Sequence, residues 1–110
     1  MPLSKRARIE IYLPAGDSPS RRLLQEVFEN EFLNTFGGCT VIKNIEGRYL
    51  ASDNEADFDR INLVYADTPF EPEMNFEALS DYTDELREAA LEATTEESIL
   101  VVVHEIYHSV

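Results

Sequence analysis

The stretch Phe36-Gly37-Gly38-Cys39-Thr40-Val41-Ile42-Lys43-Asn44-Ile45-Glu46-Gly47-Arg48-Tyr49-Leu50 ends a helical pattern and opens a strand pattern. Leu24, Phe28, Phe32 and Phe36 recur every four residues before it, and Leu23 and Val27 widen the stripe. This spacing predicts an amphipathic helix of about five turns. Gly37 suits the left-handed conformation that closes helices, and Gly38 lets the chain redirect. Thr40, Val41 and Ile42 are β-branched, stiff at χ1 and suited to a pleated strand. Gly47 falls inside that strand, where a bulge, a bend or a close backbone approach is expected.

Before the helix, Arg8-Ile9-Glu10-Ile11-Tyr12-Leu13 alternates and predicts a first strand. Pro14-Ala15-Gly16-Asp17 is a turn, and Ser18-Pro19 reads as an N-cap followed by proline in the first helical position. Beyond the central stretch, residues 52–57 form a polar hairpin loop, and Arg60 to Ala66 is the third strand. Asn75 is placed to cap a second helix whose apolar face holds Leu79, Tyr82, Leu86, Ala90 and Ala93. Ser98-Ile99-Leu100-Val101-Val102-Val103 opens a fourth strand.

Strand, helix, strand, strand, helix, strand is the ferredoxin-like order of an α+β fold. It implies a four-stranded antiparallel sheet with both helices on one face and the first and third strands in the middle. The second face is the informative one. Tyr12, Val64 and Ile42 are expected there, and the fourth strand is apolar on both parities. A face of that character is normally covered, so a homo-oligomer, dimer or trimer, is expected.

At 110 residues and 44% hydrophobic content the chain reads as one domain, residues 1–110. No apolar run approaches the roughly 20 residues that span a bilayer, and the basic N-terminus lacks the apolar core of a signal peptide. A cytoplasmic protein without membrane partners is expected. The single Cys39 excludes an intramolecular disulfide. Residues 1–50 hold 7 basic and 6 acidic side chains, whereas residues 51–110 hold 2 and 16, for a net charge of −13. Such a chain repels phosphate backbones, so nucleic acid is not an expected partner. The acidic half reads as solvated helix face and loop, with a cation or a basic partner as the other reading.

His104-Glu105-Ile106-Tyr107-His108 matches the H-E-x-x-H zinc motif. That chemistry needs a helix, where side chains four apart meet on one face. The apolar, mostly β-branched lead-in predicts a strand instead, on which four residues span roughly 13 Å. His104, Glu105 and His108 are therefore read as a chance match and no metal is assigned. Cys39, just past a helix C-terminus, reads as a small buried hydrophobe whose pKa is raised. Tyr12, Tyr49, Tyr65, His104 and Asp67 would suit acid–base work if they gathered at the open sheet face. Tyr12, Tyr65 and His104 are the catalytic candidates.

Residues 38–47, Gly38-Cys39-Thr40-Val41-Ile42-Lys43-Asn44-Ile45-Glu46-Gly47, resemble the G-A-T-V-x-x-G-I-x-G segment of the PII-like signalling proteins. That family usually has glycine where this chain has Asn44. The resemblance implies ferredoxin-like trimers that bind small effectors, often adenine nucleotides, between subunits. The Arg/Lys set that grips phosphates there has no counterpart after the third strand here, and no cofactor is expected. Phe36-Gly37-Gly38-Cys39-Thr40-Val41, Gly47-Arg48-Tyr49 and Glu97-Ser98-Ile99-Leu100 are similar to segments of a group of small uncharacterised bacterial proteins. Those have F-P-D-G-L-T-V, then G-x-W/Y, then E-S-V-L, and imply the same fold without an activity. Two readings follow. One is a non-catalytic oligomeric module that binds a small effector or a protein partner through Gly37, Gly38, Thr40 and Gly47 and the loop 52–59. The other is a small enzyme of the dimeric α+β barrel kind, with a pocket between sheet and helices.

Overall fold

Gly37 closes the first helix as the sequence predicts. Its φ is 83°, and its N–H donates to the Leu33 carbonyl. The helix α1 (Pro19–Phe36) begins at Ser18, whose hydroxyl accepts from the Arg21 N–H at 3.3 Å. In the computed structural model, residues 3–50, 52–94 and 99–109 are described, apart from the side chain of Tyr49. The expected start of the fourth strand at Ser98, and the Glu97-Ser98 part of the bacterial resemblance, lie outside them.

The remaining elements are β1 (Leu3–Pro14), β2 (Thr40–Leu50), β3 (Ala56–Asp67), α2 (Phe76–Glu92) and β4 (Leu100–Ser109). The strands form one antiparallel sheet in the order β2-β3-β1-β4. The fold is ferredoxin-like, with β1 and β3 in the middle. β1 alternates strictly: Ala7, Ile9, Ile11 and Leu13 are all buried under the helices. Leu24, Phe28 and Phe32 of α1 and Leu79, Leu86 and Ala90 of α2 close on them. Phe36 links the helices, packing edge-on against Tyr82 with ring centroids 5.6 Å apart. Tyr82 donates to Glu31 at 3.0 Å, and burial followed by that bond raises its pKa.

The strands are longer than the alternation predicts, because both ends run past the core. Residues 3–6 of β1 pair with β4 alone, and residues 56–59 of β3 pair with β2 alone. Two two-stranded arms therefore project from opposite ends of a molecule 48 Å long.

Three expectations are corrected, and at Gly47 one of the stated alternatives is selected. Val64 is fully buried in the core beneath the helices, not on the second face, because its position follows β3's pairing with Ile11. Leu23 and Val27 are 61% and 52% exposed, so the buried stripe of α1 is one residue wide per turn. Asn75 stands at the N-cap of α2 but its side chain does not cap. Its amide instead donates to the Glu71 carbonyl at 2.9 Å. The irregularity in β2 falls at Lys43 and Asn44, not at Gly47: Ile42 pairs with Leu63 and Ile45 with Ile61, leaving one extra residue on β2. Asn44 adopts φ 62° there. Asparagine is the side chain most tolerant of this conformation after glycine, which explains how the chain departs from the PII-like glycine. Gly47 is the close approach: a Cβ there would meet Ile61 Cδ1 at 3.0 Å.

No described helix is long and apolar enough to cross a membrane. Two glycine substitutions separate conformation from crowding, since neither Gly37 nor Gly38 has an atom within 4 Å of an added Cβ. Gly37→Ala is expected to cost about 1 kcal/mol through its positive φ, and Gly38→Ala close to nothing. Urea unfolding of the two variants checks this; equal losses contradict the assignment of Gly37 as the helix terminator. Phe32→Ala, at a fully buried position, is expected to cost about 3–5 kcal/mol in the same assay.

Candidate functional site

Because Ala7, Ile9, Ile11 and Leu13 face the helices, Arg6, Arg8, Glu10 and Tyr12 face the other way. The strand registers then set side chains in rows across the uncovered face. The first row is Ile42, Leu63, Tyr12 and Leu100, one residue from each strand and apolar throughout. Leu63 is 7% exposed yet stands outside the helix-side core. The second row is Thr40, Tyr65, Glu10 and Val102; the third is Asp67, Arg8 and His104; Arg6 and Ile106 follow.

Arg6 apart, the charged side chains of these rows are paired with one another. Arg8 grips Asp67 with two hydrogen bonds, at 2.6 and 3.1 Å, and its guanidinium lies 4.4 Å from the centre of the Tyr65 ring. His108 Nε2 is 3.3 Å from the same carboxylate. Glu10 is only 8% exposed on a face that no described element covers. It accepts from the Tyr12 hydroxyl at 3.2 Å and pairs with His104 Nε2 at 2.5 Å. Burial, then the Glu10 charge, raises the Tyr12 pKa. Arg6 Nε is buried without a hydrogen-bond partner among the described residues.

The structure thus brings Tyr12, Tyr65, His104 and Asp67 onto one surface; the Tyr49 side chain lies outside the described residues. Arg8 and Glu10, which organise that surface, escaped the sequence reading because charged residues alternating with core ones look like a solvated face. The apolar residues on both parities of the fourth strand were the available signal. His104 and His108 both point to this face, but each is held by a different carboxylate. Glu105 lies on the other side of β4, 3.5 Å from Lys5 Nζ. The H-E-x-x-H letters are therefore divided between two faces of a strand. Among the described residues no three His, Cys, Asp or Glu side chains are placed to hold a metal ion.

Of the expected ligand-binding residues, Gly37, Gly38 and Thr40 line a shallow depression of about 350 Å³ that reaches Tyr65 and Asp67. Gly47 is not among its walls; it pairs with Asp59 on the projecting arm. The loop 52–59 lies at the tip of that arm and is not among the walls of the depression. Cys39 is half-buried against the core, and burial followed by the Glu29 charge raises its pKa. On the helix side, α1, the turn before it and β2 enclose a larger cleft of about 480 Å³. Val41 and Asn62 face it from the sheet, so the sheet stands between this cleft and Tyr12, Tyr65 and His104.

The Arg8 hydrogen bond lowers the Asp67 pKa, burial opposes it, and the Arg8 and His108 charges lower it further. A depressed carboxylate pKa stabilises the fold above the unfolded value of about 3.9. That stabilisation is lost as pH falls through the folded value. Asp67→Asn is expected to cost about 1 kcal/mol at pH 7, discounted for partial exposure. Unfolding at pH 7 and pH 3 should show the gap to the parent protein closing in acid; an unchanged gap contradicts the pairing.

Two solved structures share the architecture. The crystal structure of the divalent ion tolerance protein CutA1 from Ehrlichia chaffeensis superposes with a TM-score of 0.56 at 9% identity, over 92% of this chain and 80% of that one. That of CutA1 from Oryza sativa gives 0.54 at 14%, over 97% and 84%. No family model matches the sequence, and no curated protein matches it. At such identities the likeness is one of fold: the chain is built on the ferredoxin-like frame that the two CutA1 structures share.

Proposed function

We propose that this protein is a non-catalytic binding module that works as a homo-oligomer, its copies packing through the uncovered sheet face and the assembly holding a small effector. The observation that carries the reading is the row Ile42, Leu63, Tyr12 and Leu100, with the paired charges beside it. Ile42 and Leu100 are 45% and 58% exposed in the isolated chain. Covering such side chains stabilises at roughly 25 cal/mol per Å² of apolar surface. Of the neighbouring charges, Arg8, Asp67, Glu10 and His104 oppose this little, because they already have partners and do not enter an interface bare; Arg6 has none among the described residues. The PII-like resemblance, which implies trimers, points the same way.

Two observations weigh against the enzyme reading. The helix-side cleft has the volume a catalytic pocket needs, but Tyr12, Tyr65 and His104 are on the opposite side of the sheet. On their own side they form pairs across a shallow surface. The name of one structural neighbour carries divalent ion tolerance. The described residues of a single chain offer no three-ligand set, so metal retention by one subunit is not part of this proposal.

Light scattering on the purified protein tests the assembly. The expected mass is a multiple of 12.6 kDa, and a strict monomer at micromolar concentration overturns the proposal. Ile42→Asp and Leu100→Asp are expected to shift the protein to monomer with an unchanged circular dichroism spectrum. Both positions are solvated in the lone chain, so only the interface suffers the buried charge.

A further inference from the structure

The cleft on the helix side has its own internal order. Arg22, Gln25, Glu26 and Glu29 stand at helical spacing on one stripe of α1. Facing them are Lys43 and Asn44 at the bulge of β2, and Asn62 of β3. The Asn44 backbone N–H donates to Asn62 Oδ1 at 2.9 Å. A backbone N–H can only donate, so Asn62 must turn its oxygen there and its NH₂ group away. That group donates to Gln25 Oε1 at 2.7 Å, and Gln25 Nε2 donates to Glu29 Oε2 at 3.2 Å. The relay starts at an obligatory donor and ends at an acceptor-only carboxylate, so each amide has one orientation. The floor of the cleft is fixed before anything enters it.

The walls carry uncompensated charge of both signs. Lys5, Arg8, Arg48, Arg60 and Arg87 each lie within reach of a carboxylate. Arg6, Arg21, Arg22 and Lys43 have no such partner among the described residues, and of these Arg22 and Lys43 face this cleft. In a chain of net charge −13, two free cations at one cleft are an exception to the surrounding field. Asp17, Glu26 and Glu29 also line it, so a simple anion meets repulsion beside its attraction. A bare metal ion meets the two cations and finds no converged ligand set. Arg22 and Glu29 are two helical turns apart, roughly 10 Å along the axis, which separates a positive end from a negative end.

We infer that this cleft binds a small zwitterion of the free amino-acid class, its carboxylate toward Lys43 and Arg22 and its ammonium toward Glu29. The inference rests on the reading of the chain as a binding module and names the chemistry of its effector. The relay leaves Glu29 with lone pairs to spare and Gln25 and Asn62 with one N–H each. These suit a ligand that both donates and accepts. The volume of about 480 Å³ admits an amino acid with its hydration shell.

Calorimetric titration of the full chain tests this with glycine, alanine, leucine, glutamate, lysine and glycylglycine. Acetate, ethylamine, phosphate and magnesium serve as single-sign controls. At least one zwitterion is expected to saturate, about tenfold or more tighter than any control. Lys43→Ala and Glu29→Gln are each expected to weaken it about tenfold; both sites are at the surface of the cleft, and circular dichroism checks folding. Binding by none of the zwitterions overturns the inference. So does phosphate or acetate binding that matches theirs and ignores Glu29→Gln. Light scattering on the same samples separates the two proposals. An oligomer that takes up no zwitterion fells this one alone, and a monomer that binds one fells only the assembly.

Discussion

A four-stranded sheet has two faces, and this chain supplies two helices, both of which pack on the same one. The central strand β1 is where the consequence is concentrated. From Ala7 to Leu13 its odd-numbered side chains are apolar and disappear beneath the helices, while its even-numbered side chains must settle on a surface that no described element covers. The sequence answers with a compromise. Apolar residues are aligned in a row across all four strands, and charged residues are set where a cross-strand neighbour can neutralise them. Glu10 illustrates the limit of that arrangement. It is nearly as buried as a core residue on a face that the chain itself leaves open, held by Tyr12 and His104.

Paired charges on such a surface add less affinity than geometry. A buried ion pair seldom stabilises more than well-packed hydrocarbon, but it penalises every arrangement in which a partner is missing. Arg8 between Asp67 and the Tyr65 ring, and Glu10 between Tyr12 and His104, fix the register of the three strands they span. A one-residue slip would separate both sets at once and invert the apolar row. The same pairs would fix the orientation of anything that packs against them.

Much of the architecture was legible in the residues. Gly37 marked the end of the first helix because its conformation excludes most other side chains. Ser18-Pro19 marked the beginning, and the alternation in β1 identified the central strand. What was hidden depended on partners distant in the chain. Val64 and Leu63 are neighbours of similar character, and only the pairing with Ile11 and Tyr12 decides which of them meets the helices. Leu23 and Val27 look like core residues, yet the two helices and the sheet have room for only one side chain per turn of α1. The candidate residues Tyr12, Tyr65, His104 and Asp67 could be named from the sequence, but not Glu10 and Arg8, which hold them. The cleft relay was invisible, since it joins a backbone group at Asn44 to side chains on two other elements.

The extra residue in β2 has one more consequence. Two residues of β2 oppose one of β3 at this point, so Ile42 and Ile45, an odd number of positions apart in the chain, still face the same way. The irregularity changes the direction and twist of the projecting arm without reassigning its surfaces. A lineage that lost Asn44 would straighten the ladder and dismantle the cleft floor, yet keep each outward side chain outward. The direction of the arm and the facing of its side chains are uncoupled here, and a lone codon deletion would alter the first while sparing the second.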